Sequence, residues 1–241
     1  MEFTFLEYSK LLKEFNNNNY TCVSYFNKTN SNKELLLRHD IDIDIFNCLN
    51  LASIEEINGF YSTWFVQIDN DFYNPLSSQA LKILKRLSEK HILGLHINPA
   101  GMNYQPESIE DLTIWIERIY KFYSDYLPIE RIISFHRPAK YLSDSGIKIN
   151  GFINAYDDSF IKEMNYISDS NRRPFLDLKY LEEAFRTGQS INLLTHPIWW
   201  SYERKTIEEK YEELTSTAVN KICKSSLINN ISCFSYLKEI K

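Results

Sequence analysis

The stretch Leu35-Leu36-Leu37-Arg38-His39-Asp40-Ile41-Asp42-Ile43-Asp44 begins as a continuous apolar run and ends in charge. A strand buried on both faces reads as such an unbroken run, and in a parallel sheet the loops leaving the carboxyl ends of the strands build the site. Three further runs end in the same way: Ile92-Leu93-Gly94-Leu95-His96, Ile132-Ile133-Ser134-Phe135-His136-Arg137 and Ile191-Asn192-Leu193-Leu194-Thr195-His196-Pro197. Four of the five histidines therefore stand at strand ends, where imidazoles from separate strands can meet. Any one of them alone would pass as a satisfied polar residue at the edge of a core; four together read as a metal-assisted active site.

Outward from these runs, apolar stretches alternate with amphipathic ones, the pattern of strand-helix units around a parallel sheet. Strands are expected at 34–39, 60–66, 92–97, 131–136, 152–156, 164–168, 191–196 and 231–236. Helical stripes join Ala80, Ile83, Leu84 and Leu87, then Ile109, Leu112, Ile116, Ile119 and Tyr123 behind a Ser108 cap. Leu178, Leu181 and Phe185 form another stripe, which Gly188 ends, and Ile207, Tyr211, Leu214, Ala218 and Ile222 form the last. The expected fold is α/β, a distorted (β/α)7-type barrel, with residues 1–241 as a single domain. An open, doubly wound sheet is the competitor, because the sequence does not say whether the first and last strands meet.

Composition removes several classes of function. Lys plus Arg total 27 against 32 Asp plus Glu, with no basic block to follow a phosphate backbone, so nucleic acid is not an expected partner. The 6 glycines include no G-x-G-x-x-G and no G-x-x-x-x-G-K, which leaves no cofactor-binding site for a nucleotide. Residues 1–10 carry early acidic side chains and no continuous apolar stretch, so neither a signal peptide nor a membrane span is expected, and the location expected is cytoplasmic. Cys22, Cys48, Cys223 and Cys233 form no C-x-x-C pair and read as reduced thiols, with Cys48 a secondary candidate for a soft metal ligand.

The strand-end clusters carry the chemistry. In extended backbone Asp40, Asp42 and Asp44 share one face and His39 points the other way; three carboxylates side by side ionise together only if a cation neutralises them. A solvated, Asp-rich loop is the plainer alternative. His96 and Asn98 project to one side, and Gly94 permits close approach of a neighbour. Arg137 can hold a carboxylate in a fixed, ionised orientation through paired hydrogen bonds. Trp199 and Trp200 offer flat apolar faces of the kind pyranose rings use, with burial against the barrel rim as the alternative. His91, after Lys90 at a helix end, is explained by the helix dipole, and the alternating charges from Lys205 to Glu213 by a solvated helix face.

These residues also carry a resemblance. Arg38-His39-Asp40-Ile41-Asp42, Gly94-Leu95-His96, Phe135-His136-Arg137-Pro138, Ser168-Asp169-Ser170 and Leu194-Thr195-His196-Pro197 look like the ordered motifs of the polysaccharide deacetylase superfamily, the NodB-homology or carbohydrate esterase family four group. With Ser62-Thr63-Trp64-Phe65-Val66 and Tyr73-Asn74-Pro75, they more closely resemble its divergent branch in bacterial surface-polysaccharide (O-antigen or capsule) biosynthesis. The likeness runs from about Leu35 to Trp200.

The resemblance implies a distorted barrel of about seven strand-helix units, one divalent metal ion such as Zn²⁺, and hydrolysis of an N-acetyl group, a linear amide, from an amino-sugar or saccharide substrate. It implies Asp40 as general base, Asp42 and His96 as metal ligands, Arg137 as the arginine that orients the base, and His196 as general acid, with Asp169 placed to orient His196. Two departures stand out. Ala100 occupies the place of the second motif's second histidine, so a third ligand must come from His136, Asn98 or His39, of which His136 is preferred. Ile41 lies between the two carboxylates, which leaves the roles of Asp40 and Asp42 interchangeable. Trp199, Trp200 and Asn98 are the expected substrate contacts. A catalytically weakened saccharide-binding or scaffolding relative is the alternative function, and a different hydrolase on a similar barrel, acting on cyclic amides or phosphoesters, is a third.

Overall fold

The structure, a computed structural model, describes residues 2–99, 101, 104, 106–137, 147–172 and 178–217. Ala100, Cys223, Cys233, the expected strand at 231–236 and the end of the last stripe at Ala218 and Ile222 lie outside these residues. The described residues divide into two units, Phe3–Tyr202 and the stretch from Glu203 onward.

The first unit holds a parallel sheet with eight strands among the described residues: β1 (Thr21–Val23), β2 (Glu34–Ile41), β3 (Thr63–Gln67), β4 (Ile92–Ile97), β5 (Ile132–Phe135), β6 (Ile153–Asn154), β7 (Asn165–Ser168) and β8 (Ile191–Thr195). The order is β6-β5-β4-β3-β2-β8-β7, with β1 paired to β2. Neighbouring strands run parallel, and the sheet curls into a half-barrel. The fold is thus the expected distorted (β/α) barrel, and among the described residues it is open, with β6 and β7 at the two ends of the strand order.

Among the described residues this unit has six helices: α1 (Phe5–Asn17), α2 (Cys48–Ile57), α3 (Ser78–Ser88), α4 (Ile109–Ser124), the single turn α5 (Asp158–Ile161) and α6 (Leu178–Thr187). Caps fix their starts. Thr4, Ser77 and Ser108 each accept a hydrogen bond from the backbone N–H three residues on, which satisfies a donor that a helix start leaves unpaired. The stripes expected on α3 and α4 are buried at Ala80, Ile83, Leu84 and Leu87 and at Leu112 and Ile116. The N-terminal helix α1, with Tyr8, Leu11, Leu12 and Phe15 on its buried face, and α2 were not anticipated.

Alternation along the strands separates two layers. Leu35, Leu37 and Ile41 of β2 and Trp64 and Val66 of β3 face the helices in the larger core. Leu36 and Phe65 face inward and pack with Val23, Tyr25, Ile132 and Phe160 inside the curl. Two residues further along, the same inward faces carry Arg38 and then Asp40 on β2, and Gln67 on β3. In β4 a glycine makes this possible: a Cβ on Gly94 would lie 2.8 Å from Ile132 Cγ2 and 2.9 Å from Phe65 Cε1, so those side chains fill the floor beneath the site.

Of the second unit, the described part is α7 (Ile207–Thr217) and the turn before it. Ile207 and Tyr211, expected on a core face, are 62% and 68% exposed. The charges that read as a solvated face pair with one another, Lys205 with Glu213 at 2.8 Å and Lys210 with Glu213 at 3.1 Å.

Candidate functional site

Parallel strands deliver their carboxyl ends to one side of the sheet, and β2, β4, β5 and β8 end there in Asp42, His96, His136 and His196. These side chains line one cavity of about 710 Å³ together with Asp40 and Trp199. Asp42, His96 and His136 each present a ligand atom, all within 4.8 Å of one another. Asp42 Oδ1 lies 3.1 Å from His96 Nε2 and 3.3 Å from His136 Nδ1.

The environment of Asp42 tests whether a cation fits. Its Oδ1 is buried and lacks a conventional hydrogen-bond partner, although two imidazole nitrogens face it. Burial alone would raise the Asp42 pKa, but His136 and His96 outweigh it and hold the carboxyl far below the ordinary value. A buried, ionised carboxylate oxygen facing two ring nitrogens is a donor set for a divalent ion, with one carboxylate and two imidazoles. The residues present fit a divalent metal ion, and His136, the preferred candidate for the third ligand, lies beside Asp42 and His96.

Asp40 stands beside this set, its Oδ2 3.6 Å from His96 Nε2. Arg38 grips it through two hydrogen bonds of 2.8 Å, from Nε to Oδ1 and from Nη2 to Oδ2. Arg38 is fully buried, donates also to Ser134 Oγ, and lies over the rings of Phe65 and Tyr156 at 5.0 and 5.1 Å. Burial pushes the Asp40 pKa up, but the adjacent guanidinium outweighs it and lowers the value, so the carboxyl is ionised.

His196 faces Asp42 from the other side, Nε2 3.7 Å from Asp42 Oδ2, and donates from Nδ1 to Asp169. Burial would lower its pKa, but Asp169, by hydrogen bond and by charge, raises it to about 9. Asp169 itself is fully buried; it accepts the His196 backbone N–H at 3.0 Å and the Trp200 indole N–H at 3.3 Å. The result is an imidazolium held in one orientation by Asp169, with Nε2 aimed into the cavity.

No protein-family model matches the chain, and no curated protein matches it. Among solved structures it is similar to the chitin deacetylase of the fungal pathogen Colletotrichum lindemuthianum, at 16% identity over 82% of this chain and 85% of that one, with a TM-score of 0.47. It is also similar to a family 4 acetyl xylan esterase from Clostridium thermocellum, solved with a cobalt ion, at 13% identity over 76% of this chain and 83% of that one, with a TM-score of 0.39.

Several expected roles fall differently in the structure. The paired hydrogen bonds on Asp40 come from Arg38, whereas Arg137 is exposed, in the left-handed region at φ 44°, and lines the cavity from the strand end. The cause is alternation: Arg38 is two residues before Asp40 on one strand, so the two share a face. Trp200 is not on the cavity wall; it is fully buried against Phe3 and Tyr8 and holds Asp169. Trp199 alone of the pair lines the cavity, as does Asn98. His39 points away from the site, stacked on Trp64 at 3.9 Å, with Nε2 donating to Glu55. Asp44 accepts from the backbone N–H groups of Phe46 and Asn47 and so shapes the turn into α2. Cys48 is buried with its thiol pKa pushed up by burial, a packing residue and not a ligand. His91 is buried, with Nδ1 accepting from the Ser62 N–H at 3.2 Å, so it belongs to the polar cluster around Glu55 rather than to a helix end alone.

Two residues of the site are not assigned from the sequence: Arg38, which holds Asp40 from behind the cavity and whose spacing of two from Asp40 is the signal, and Asp69, beyond the end of β3, which lines the cavity.

Proposed function

We propose that this chain is a metal-dependent carbohydrate deacetylase, a hydrolase that removes an N-acetyl group from an amino sugar. The observation that carries this reading is the convergence of Asp42, His96 and His136 between an arginine-paired carboxylate, Asp40, and a carboxylate-held imidazole, His196. Asp42, His96 and His136 would hold one divalent cation, and their mixed oxygen and nitrogen donors suit Zn²⁺. Bound there, such an ion supplies Lewis acidity toward a carbonyl oxygen and lowers the pKa of a water from about 15.7 to near 7.

The chain's own groups then divide the proton work. Asp40, held ionised and in place by Arg38, takes the proton of the attacking water at a carboxylate oxygen. His196 gives the proton on Nε2 to the sugar nitrogen, which departs as an amine because an unprotonated amide nitrogen leaves poorly. Asp169 keeps the imidazole turned so that Nε2 faces the cavity. Trp199 offers its ring to a pyranose face, and Asn98 a polar contact beside it. Following the motif resemblance, the substrate is an amino sugar of surface-polysaccharide biosynthesis, met in the cytoplasm.

The test is acetate release from N-acetylated amino sugars by the full chain, with bound metal measured on the same sample. Chelation should abolish turnover, and added divalent metal should restore it. Asp40→Asn should abolish turnover with metal content unchanged, and His96→Ala should lose both. Equal metal loss in the two variants, or acetate release indifferent to chelator, would overturn the assignment.

A further inference from the structure

Two buried polar atoms beside the proposed metal ligands are left without partners. His96 presents Nε2 to Asp42, and its other ring nitrogen, Nδ1, is buried with no hydrogen bond. Gln67 Oε1 is buried with no hydrogen bond either. A buried polar atom left unpaired loses the hydrogen bond it had with water and gains none in return, so two in one place call for a common explanation.

They belong to facing residues. Gln67 and His96 are register partners on β3 and β4, two residues beyond the pair Phe65 and Gly94 and so on the same face, and both line the cavity. Neighbouring strands lie about 4.8 Å apart, so side chains at partnered positions on one face come within reach of each other. The end of Gln67 is also oriented: its Nε2 donates to the Asp69 backbone carbonyl and to Asp69 Oδ1, both at 3.4 Å. With the amide nitrogen committed to Asp69, the oxygen is the end that remains to accept.

We propose that Gln67 is the positioning residue for His96. Its Oε1 accepts the proton on His96 Nδ1, directly after a small side-chain rotation or through one water, and so fixes the tautomer that turns the Nε2 lone pair toward the ion. The chain Asp69, Gln67, His96 supplies through an amide what a carboxylate commonly supplies to a ligating histidine. Gln67 touches neither substrate nor ion; it acts through the imidazole. The inference rests on the metal reading above.

The experiment titrates metal-free protein with Zn²⁺ against a competing chelator, so that affinity is read without activity. Gln67→Leu, of similar size but without an acceptor, should weaken Zn²⁺ binding by roughly 10- to 100-fold. Gln67→Glu, which restores an acceptor oxygen, should bind at least as tightly as the unmutated chain, a rescue that a packing role would not produce. Unchanged affinity in the Leu variant overturns the proposal. If the Leu variant does not fold, the Glu variant decides alone, and a tenfold loss there overturns it. An unmutated chain that binds no Zn²⁺ overturns both this proposal and the metal reading, whereas tight binding that is indifferent to residue 67 overturns this proposal only.

Discussion

At the scale of single residues, the site depends on which arginine serves Asp40. A buried guanidinium in paired contact with a carboxylate keeps it ionised and fixes its orientation, and a lysine would supply one point charge in place of the fork. Arg38→Lys should therefore lower kcat/KM by more than about tenfold, and Arg137→Lys by much less, because the grip on Asp40 survives in the second variant. Steady-state kinetics on both variants checks this; equal losses would return the orienting role to Arg137. Period-two alternation was enough to put Arg38 and Asp40 on one face and His39 on the other. The motif resemblance pointed instead to the arginine after His136, and the structure sides with the alternation. Trp200 was harder to read, because the 3₁₀ turn Pro197–Trp199 separates two adjacent indoles, sending one to the cavity and the other to the core.

At the scale of elements, the central parallel strands were legible because they are buried on both faces and read as unbroken apolar runs, whereas the short, partly exposed β1 was not. β2 is buried at all eight positions and β8 at all five. Helix α2 was not legible for a physical reason: its buried face is Cys48, Leu51, Ala52 and Glu55, and a carboxylate interrupts the apolar spacing. That carboxylate is tolerated because His39 Nε2 donates to it at 2.6 Å and Ser62 Oγ at 2.6 Å, with the Tyr8 hydroxyl completing the set. Such partners come from other elements and cannot be seen in a local window. Gly94 was legible as a point of close approach, and its neighbours make a quantitative expectation. Gly94→Ala would force a methyl group against Ile132 and Phe65, so it should cost about 1–3 kcal/mol in denaturant unfolding. An unchanged midpoint would mean that the floor of the half-barrel is loosely packed.

At the scale of the whole molecule, the cluster around Glu55 sets a pH dependence of stability. Burial would raise the Glu55 pKa, but the charge and hydrogen bond of His39 outweigh it and lower the value below the ordinary 4.5. Burial lowers the His91 pKa below its ordinary 6.5, more than Glu55 and Glu56 raise it. For both groups the unfolded chain takes up its proton first as the solution is acidified, so each contributes stability above its unfolded value and loses it below. Stability should decline as pH falls through about 6.5 and more steeply below about 4.5. The groups facing Glu55 are Tyr8 from α1, His39 from β2, and Ser62 and His91 from the ends of the flanking segments. Thermal unfolding across this range checks the expectation, and Glu55→Gln should flatten the limb below 4.5. An equally steep limb in that variant would place the acid sensitivity elsewhere.

The sealed position of Arg38 also governs how a stalled complex should be made. Neutralising Asp40 strands a guanidinium that water cannot reach, a loss on the order of 3–5 kcal/mol when a buried pair is broken, so an Asp40 variant is a fragile trap for substrate. Removing the His196 ring leaves Asp169 still bonded to the residue 196 backbone N–H and to the Trp200 indole. His196→Ala is the sturdier choice for soaking or co-crystallising an acetylated sugar.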